Sequence, residues 1–178
     1  MYQPKTIYTQ IALASIIAYL KKGSTDKLKI ENVPDELLST RRGCFVSLHK
    51  TDGALRGCIG TIEPNKKNLY HEIIHYAVAA AFNDSRFKPL TEEDLDDLEI
   101  SVDVLTEPEL INDYDDLDPS IYGVIVSDNN YHRAVLLPNI PTIDTVEQQL
   151  NIVKRKAGLS YVDNENLTIY RFTSNRYH

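Results

Sequence analysis

The chain has 178 residues, 42% of them hydrophobic and 25% charged, with a formal net charge of -7 and no tryptophan. That length buries a real core in one domain or two small lobes, and the composition is that of a soluble globular protein. The acidic balance argues against non-specific binding to phosphate backbones, although Lys154, Arg155 and Lys156 could form a local basic patch. No apolar run approaches the roughly 20 residues of a membrane span, since Ile11 to Leu20 is shorter and carries Ser15 and Tyr19. The N-terminus shows no basic-then-apolar leader with a small-residue cleavage site, so the expected location is the cytoplasm.

Taken in chain order, Thr6 to Lys22 predicts a helix, with Ile7, Ile11, Ala14, Ser15 and Ala18 near one stripe and Gly23 as its stop. Pro34 and Glu36 begin a short helical turn. Cys44–His49 and Leu55–Thr61 then read as the arms of a β-hairpin, turned through Thr51-Asp52-Gly53-Ala54. If the register holds throughout, partners across the ladder have numbers summing to 105. Cys44, Val46 and Leu48 then share an apolar face with Ile59, while Phe45, Ser47 and His49 share the other face with Arg56, Cys58 and Gly60. Gly57 and Gly60 flank the thiol, and glycines inside a strand mark a bulge or a close backbone approach. The two cysteines fall on opposite faces, so a disulfide between them is not expected.

Lys67 to Asn83 predicts the second strong helix, with Leu69, Ile73, Tyr76, Ala77 and Ala80 on one stripe and an alanine run that admits a neighbouring backbone. A loop follows through Asp84 and Arg86 to Pro89. Thr91 with Asp94 resembles a capping box and opens a short helix through Asp97. Ile100, Val102 and Val104 alternate as a strand, and Glu107 to Ser120 is an acidic loop. Tyr122–Ser127 and Tyr131–Leu137 form a second hairpin about Asp128-Asn129-Asn130. A helix runs from Thr145 to Ala157 before Gly158, and the last strand lies around Leu167 to Phe172. Hairpin, helix and strand thus occur twice. The expected fold class is α+β, with two related, interleaved lobes (roughly 1–106 and 107–178) and helices packed on mostly antiparallel sheet.

Cys58 is the leading candidate for chemistry. A thiolate needs stabilisation, which Arg56 could supply, and His49 could act as base or orienter. The plainer reading makes Cys58 a small buried hydrophobe. Asp84 and Arg86 could grip a ligand's polar groups, or they could cap the helix end and pair internally. His71-Glu72-Ile73-Ile74-His75 satisfies H-E-x-x-H, with two histidines on one helical face. A metzincin continuation would require glycine and histidine where Val78 and Ala81 stand, and no third zinc ligand is singled out, so no metal or other cofactor is expected.

Leu55-Arg56-Gly57-Cys58-Ile59-Gly60 also carries a resemblance. This hexapeptide is similar to the signature of the AMMECR1 domain family. Gly43 to Leu48, Ala79 to Phe82, the Asp84-x-Arg86-Phe87-x-Pro89 loop, Ile100-Ser101-Val102, Leu136-Leu137-Pro138, Lys156 to Leu159 and Tyr170-Arg171-Phe172 match further blocks of it. The resemblance implies a single family domain across the chain and a fold of two related lobes. It implies no established biochemical activity. It implies partnership with a MEMO-like protein and a radical SAM protein in modifying some molecule. Carried onto this sequence, the positions it marks are Arg56, Gly57, Cys58 and Gly60 with Asp84 and Arg86. Four functions are therefore carried forward: a substrate- or partner-binding component of such a pathway, a cysteine-dependent enzyme using Cys58 and His49, and, less favoured, a nucleic-acid-binding regulator and a zinc hydrolase using His71, Glu72 and His75.

Overall fold

The structure, a computed structural model, describes residues 2–178. It is α+β, with four α-helices and two four-stranded sheets among the described residues. The described residues divide into two compact units, residues 2–104 with 175–178 and residues 105–174.

In the first unit, α1 (Ile7–Lys22) starts at a reciprocal capping box between Thr6 and Thr9 and ends at Gly23, whose φ of +66° is a left-handed cap. Its buried residues are Thr9, Ile11, Ala12, Leu13, Ser15 and Ile16. The buried stripe is thus rotated from the expected one, because small apolar residues occur all around this helix. The short α2 (Asp35–Ser39) buries Leu37. Strands β1 (Cys44–Lys50) and β2 (Leu55–Thr61) follow, and α3 (Leu69–Phe82) buries every residue of its expected stripe.

The hairpin turn closes with the Lys50 amide donating to Ala54 and the Gly53 amide donating to Lys50, with Gly53 at φ +86°. Cys44 faces Thr61, Phe45 Gly60, Val46 Ile59, Ser47 Cys58 and Leu48 Gly57, all in the expected register. The register then shifts, and His49 faces Leu55. The expected opposition of His49 and Arg56 is therefore corrected: a β-bulge inserts one residue into β2 and Arg56 has no partner across the ladder. Gly57 shows why the strand is pinned here. A Cβ at Gly57 would stand 2.2 Å from the Ala80 carbonyl oxygen, so the alanine face of α3 lies directly on the β2 backbone.

After a 3₁₀ turn at Glu93–Asp97, β3 (Leu98–Leu105) pairs antiparallel with the other side of β1. The sheet order is β2-β1-β3-β8, with β8 spanning Ser174–Tyr177. Cys44, Val46 and Leu48 are sealed in the core with Ile73, Ala77, Ile100 and Val102. Tyr8 on α1 stacks on Tyr177, ring centroids 3.7 Å apart, and Arg176 pairs with the buried Asp103 at 2.9 Å.

In the second unit, β5 (Gly123–Ser127) and β6 (Arg133–Leu136) form the second hairpin, with Asn129 at φ +61° in its turn. The sheet order is β4-β7-β5-β6, with β4 at Glu109–Leu110 and β7 at Thr168–Phe172. Helix α4 (Val146–Ala157) packs on the hairpin strands through Leu150, Val153 and Ala157, and ends at Gly158.

Candidate functional site

Strand β2 is the edge of its sheet, so alternate residues turn their N–H and C=O groups away from β1. At Cys58 both outward groups are occupied by side chains. Its amide donates to Asp84 Oδ2 at 2.9 Å, and its carbonyl accepts from Arg86 Nη2 at 3.3 Å. The carboxylate and guanidinium are joined in turn, with Arg86 Nε and Nη2 donating to Asp84 at 2.9 and 2.7 Å. One ion pair thus supplies the acceptor and the donor that a neighbouring strand's peptides would otherwise provide.

The same geometry explains the sulfur's neighbour. A residue whose peptide groups both face outward belongs to a non-hydrogen-bonded pair, whose side chains lie closest across the ladder. Its partner here is Ser47, and the Ser47 hydroxyl donates to Cys58 Sγ at 3.1 Å. Ser47 is 6% exposed and is flanked on its other side by Ser101, also buried. Cys58 itself is only partly buried.

Asp84 is 7% exposed, whereas the Arg86 side chain is 56% exposed. The Arg86 guanidinium, together with the Cys58 and Arg86 amides, holds the Asp84 carboxyl well below the usual carboxylate range, and the ion pair raises Arg86 in return. Cys44 behaves oppositely. Burial, reinforced by Glu72 and Asp103, pushes its thiol far up, so it remains protonated in the core.

The expected site residues separate into groups. Cys58, Asp84 and Arg86 are brought together. Arg56 turns elsewhere: its Nη2 donates to Asp94 at 3.1 Å, and it lines a hollow of about 230 Å³ with Lys50, Thr91, Asp94, Asp97 and Leu98. Arg56 Nη1 is buried without a hydrogen-bond partner among the described residues. His49 shares its face with Glu99, its partner on β3. Burial and then Arg176 lower its pKa, and the hydrogen bond to the thiol comes from Ser47 instead. Gly57 and Gly60 serve close packing, the latter beneath Phe45, whose ring carbon would lie 2.4 Å from an added Cβ. Ser47 was missing from the expected site, although the register alone sets it opposite Cys58.

The H-E-x-x-H segment lies on α3 with His71 and His75 exposed, but Glu72 is fully buried. One Glu72 oxygen accepts the Asn65 and Lys66 amides, which fixes the turn before the helix. The arrangement leaves that carboxylate tied to the backbone rather than poised over a metal-bound water. Among the described residues no group of three or more histidine, cysteine, aspartate or glutamate side chains is placed to hold a metal ion.

The chain belongs to the AMMECR1 family, whose model matches residues 9–177. A Thermotoga maritima protein is 48% identical over 96% of each chain, and a Clostridium acetobutylicum protein is 42% identical over 98% of this chain. The chain spans only 36% of that clostridial relative. A crystal structure of an uncharacterized protein from Pyrococcus horikoshii superimposes with a TM-score of 0.84 at 31% identity, covering 95% of this chain and 88% of that one. Among the described residues no helix is long and apolar enough to cross a membrane.

Proposed function

We propose that this protein is a cytoplasmic substrate- or partner-binding component of a modification pathway that also uses a MEMO-like protein and a radical SAM protein, and that recognition occurs at Cys58, Asp84 and Arg86. The observation that carries this reading is the half-exposed Arg86, locked by Asp84 onto the backbone of the signature cysteine. It gives the sheet edge a fixed cation beside a partly exposed thiol. The clostridial relative, which holds this domain in about a third of its length, supports a role exerted alongside other protein. The test is co-purification and titration with a MEMO-like and a radical SAM protein from the same organism. Arg86→Glu and Cys58→Ala should each weaken complex formation at least tenfold. Unchanged binding refutes this surface, and no binding to either protein refutes the partnership.

A second reading rests on the Ser47 hydroxyl, a donor aimed at the sulfur of this partly exposed cysteine. In it Cys58 is the nucleophile of a covalent step. Alkylation rates across pH decide: a midpoint near the free-cysteine value of about 8.5, with rates like those of a model thiol, removes the enzyme reading.

A further inference from the structure

The H-E-x-x-H segment of α3 carries His71 and His75, and nothing in the proposed function uses them. Both are exposed and stand one turn apart on α3. Residues four apart on a helix have Cβ atoms about 5–6 Å from one another on a common face, within reach of a single ion. What raises this pair above two surface histidines is Asn68, the N-cap of the helix and 3% exposed.

The orientation of the Asn68 amide is determined by its partners. Its Nδ2 donates to the Leu38 carbonyl at 2.8 Å, and its Oδ1 accepts the His71 amide at 3.1 Å. Flipping the amide would set donor against donor at His71, so Oδ1 is the acceptor. His71 Nδ1 lies 2.6 Å from that same oxygen, and an acceptor there requires Nδ1 to carry the proton. The lone pair is thereby assigned to Nε2, at the far side of the ring. A buried carbonyl oxygen that fixes tautomer and ring orientation is the outer-sphere support characteristic of metal-ligating histidines. His75 follows one turn later with its ring edge-on to Tyr76, centroids 4.8 Å apart.

From this juxtaposition we infer that His71 and His75 form a two-nitrogen site for a borderline divalent transition metal, the class of Ni²⁺, Cu²⁺ and Zn²⁺, for which imidazole is a preferred donor. The remaining coordination positions are left to water or to a donor from another molecule. The site is not a hydrolase centre, because Glu72 is committed to the Asn65 and Lys66 amides.

The experiment is Ni²⁺ titration of the full chain by calorimetry, against His71→Gln, His75→Gln and Asn68→Ser. Serine keeps an N-cap oxygen but is too short to reach the imidazole, so Asn68→Ser tests positioning separately from helix capping. Binding of one Ni²⁺ per chain is expected. Each histidine variant should lose at least tenfold in affinity, and Asn68→Ser about tenfold. Far-UV circular dichroism verifies that each variant retains its helix. Failure of the wild type to bind at millimolar Ni²⁺ overturns the inference. So does a doubly substituted His71→Gln, His75→Gln chain that binds as tightly as wild type, which would assign the ion to other histidines.

Discussion

Replacing Asp84 with alanine tests the edge arrangement most directly. The carboxylate accepts the Cys58 amide at 2.9 Å, the Arg86 amide at 3.2 Å and two guanidinium nitrogens, while itself being 7% exposed. Removing it strands the Cys58 amide, and a buried unsatisfied donor costs about 1–3 kcal/mol. The lost ion pair adds little, since Arg86 is more than half exposed and can return to water, so its share is about 1 kcal/mol or less. Together these give a destabilisation of about 1–4 kcal/mol. Arg86→Ala leaves the Cys58 amide paired but removes the cation from the 7% exposed Asp84 carboxylate and the donor from the Cys58 carbonyl, so it should cost about 1–3 kcal/mol. Urea denaturation measures both, and the reasoning fails if either variant is as stable as the wild type. The pH dependence gives a second reading of the same group. Because the folded carboxyl titrates below its unfolded value of about 3.9, the unfolded chain binds the proton first as pH falls. This contribution is complete above about pH 5 and is lost progressively below pH 4. The Asp84→Ala variant should lack that part of the acid dependence.

Other expectations follow from the same geometry. Gly57→Ala should cost about 1–3 kcal/mol or abolish folding, because the new methyl would meet the Ala80 carbonyl oxygen rather than a side chain able to swing away; thermal denaturation measures it, and an unaffected midpoint would contradict the packing. Ser47→Ala removes the hydrogen bond to the Cys58 sulfur, so alkylation of Cys58 at neutral pH should change by about two- to threefold, because a hydrogen-bonded sulfur is ionised more readily but is also the weaker nucleophile. Thiol counting with a chromogenic disulfide should find one reactive cysteine in the native chain and two in denaturant, since Cys44 is fully buried and held protonated. Two thiols titrating at equal rates in native buffer would contradict that assignment.

Much of the first hairpin was readable from alternation alone. Cys44, Val46 and Leu48 demand one buried face, and Asp52-Gly53 demands a turn, so the register follows up to Leu48. Gly57 and Gly60 pointed to a bulge or a close approach, but the shift at His49 itself was not readable, because its position depends on how β2 seats against α3 at Gly57, a contact between segments distant in sequence. That single inserted residue is what separates Arg56 from the site expected for it. The Asp84–Arg86 pairing was among the alternatives in the sequence, but its grip on the Cys58 backbone depends on β2 being an edge strand, a property of sheet order. Strand β8 was missed for a related reason. Ser-Asn-Arg-Tyr has no apolar alternation, and its place is set by Tyr8 and Asp103.

The position of β8 bears on how the polypeptide acquires its structure. The first unit's sheet has its fourth strand contributed from beyond Leu105–Ser174, the whole of the second unit. A nascent chain emerging amino end first therefore cannot finish that sheet until the intervening unit has been synthesised, and until then β3 remains an open template on one side. Truncations that stop short of Ser174 leave the same rim bare, so fragments designed at the apparent boundary near Val104 should self-associate unless Asn175–His178 are grafted back.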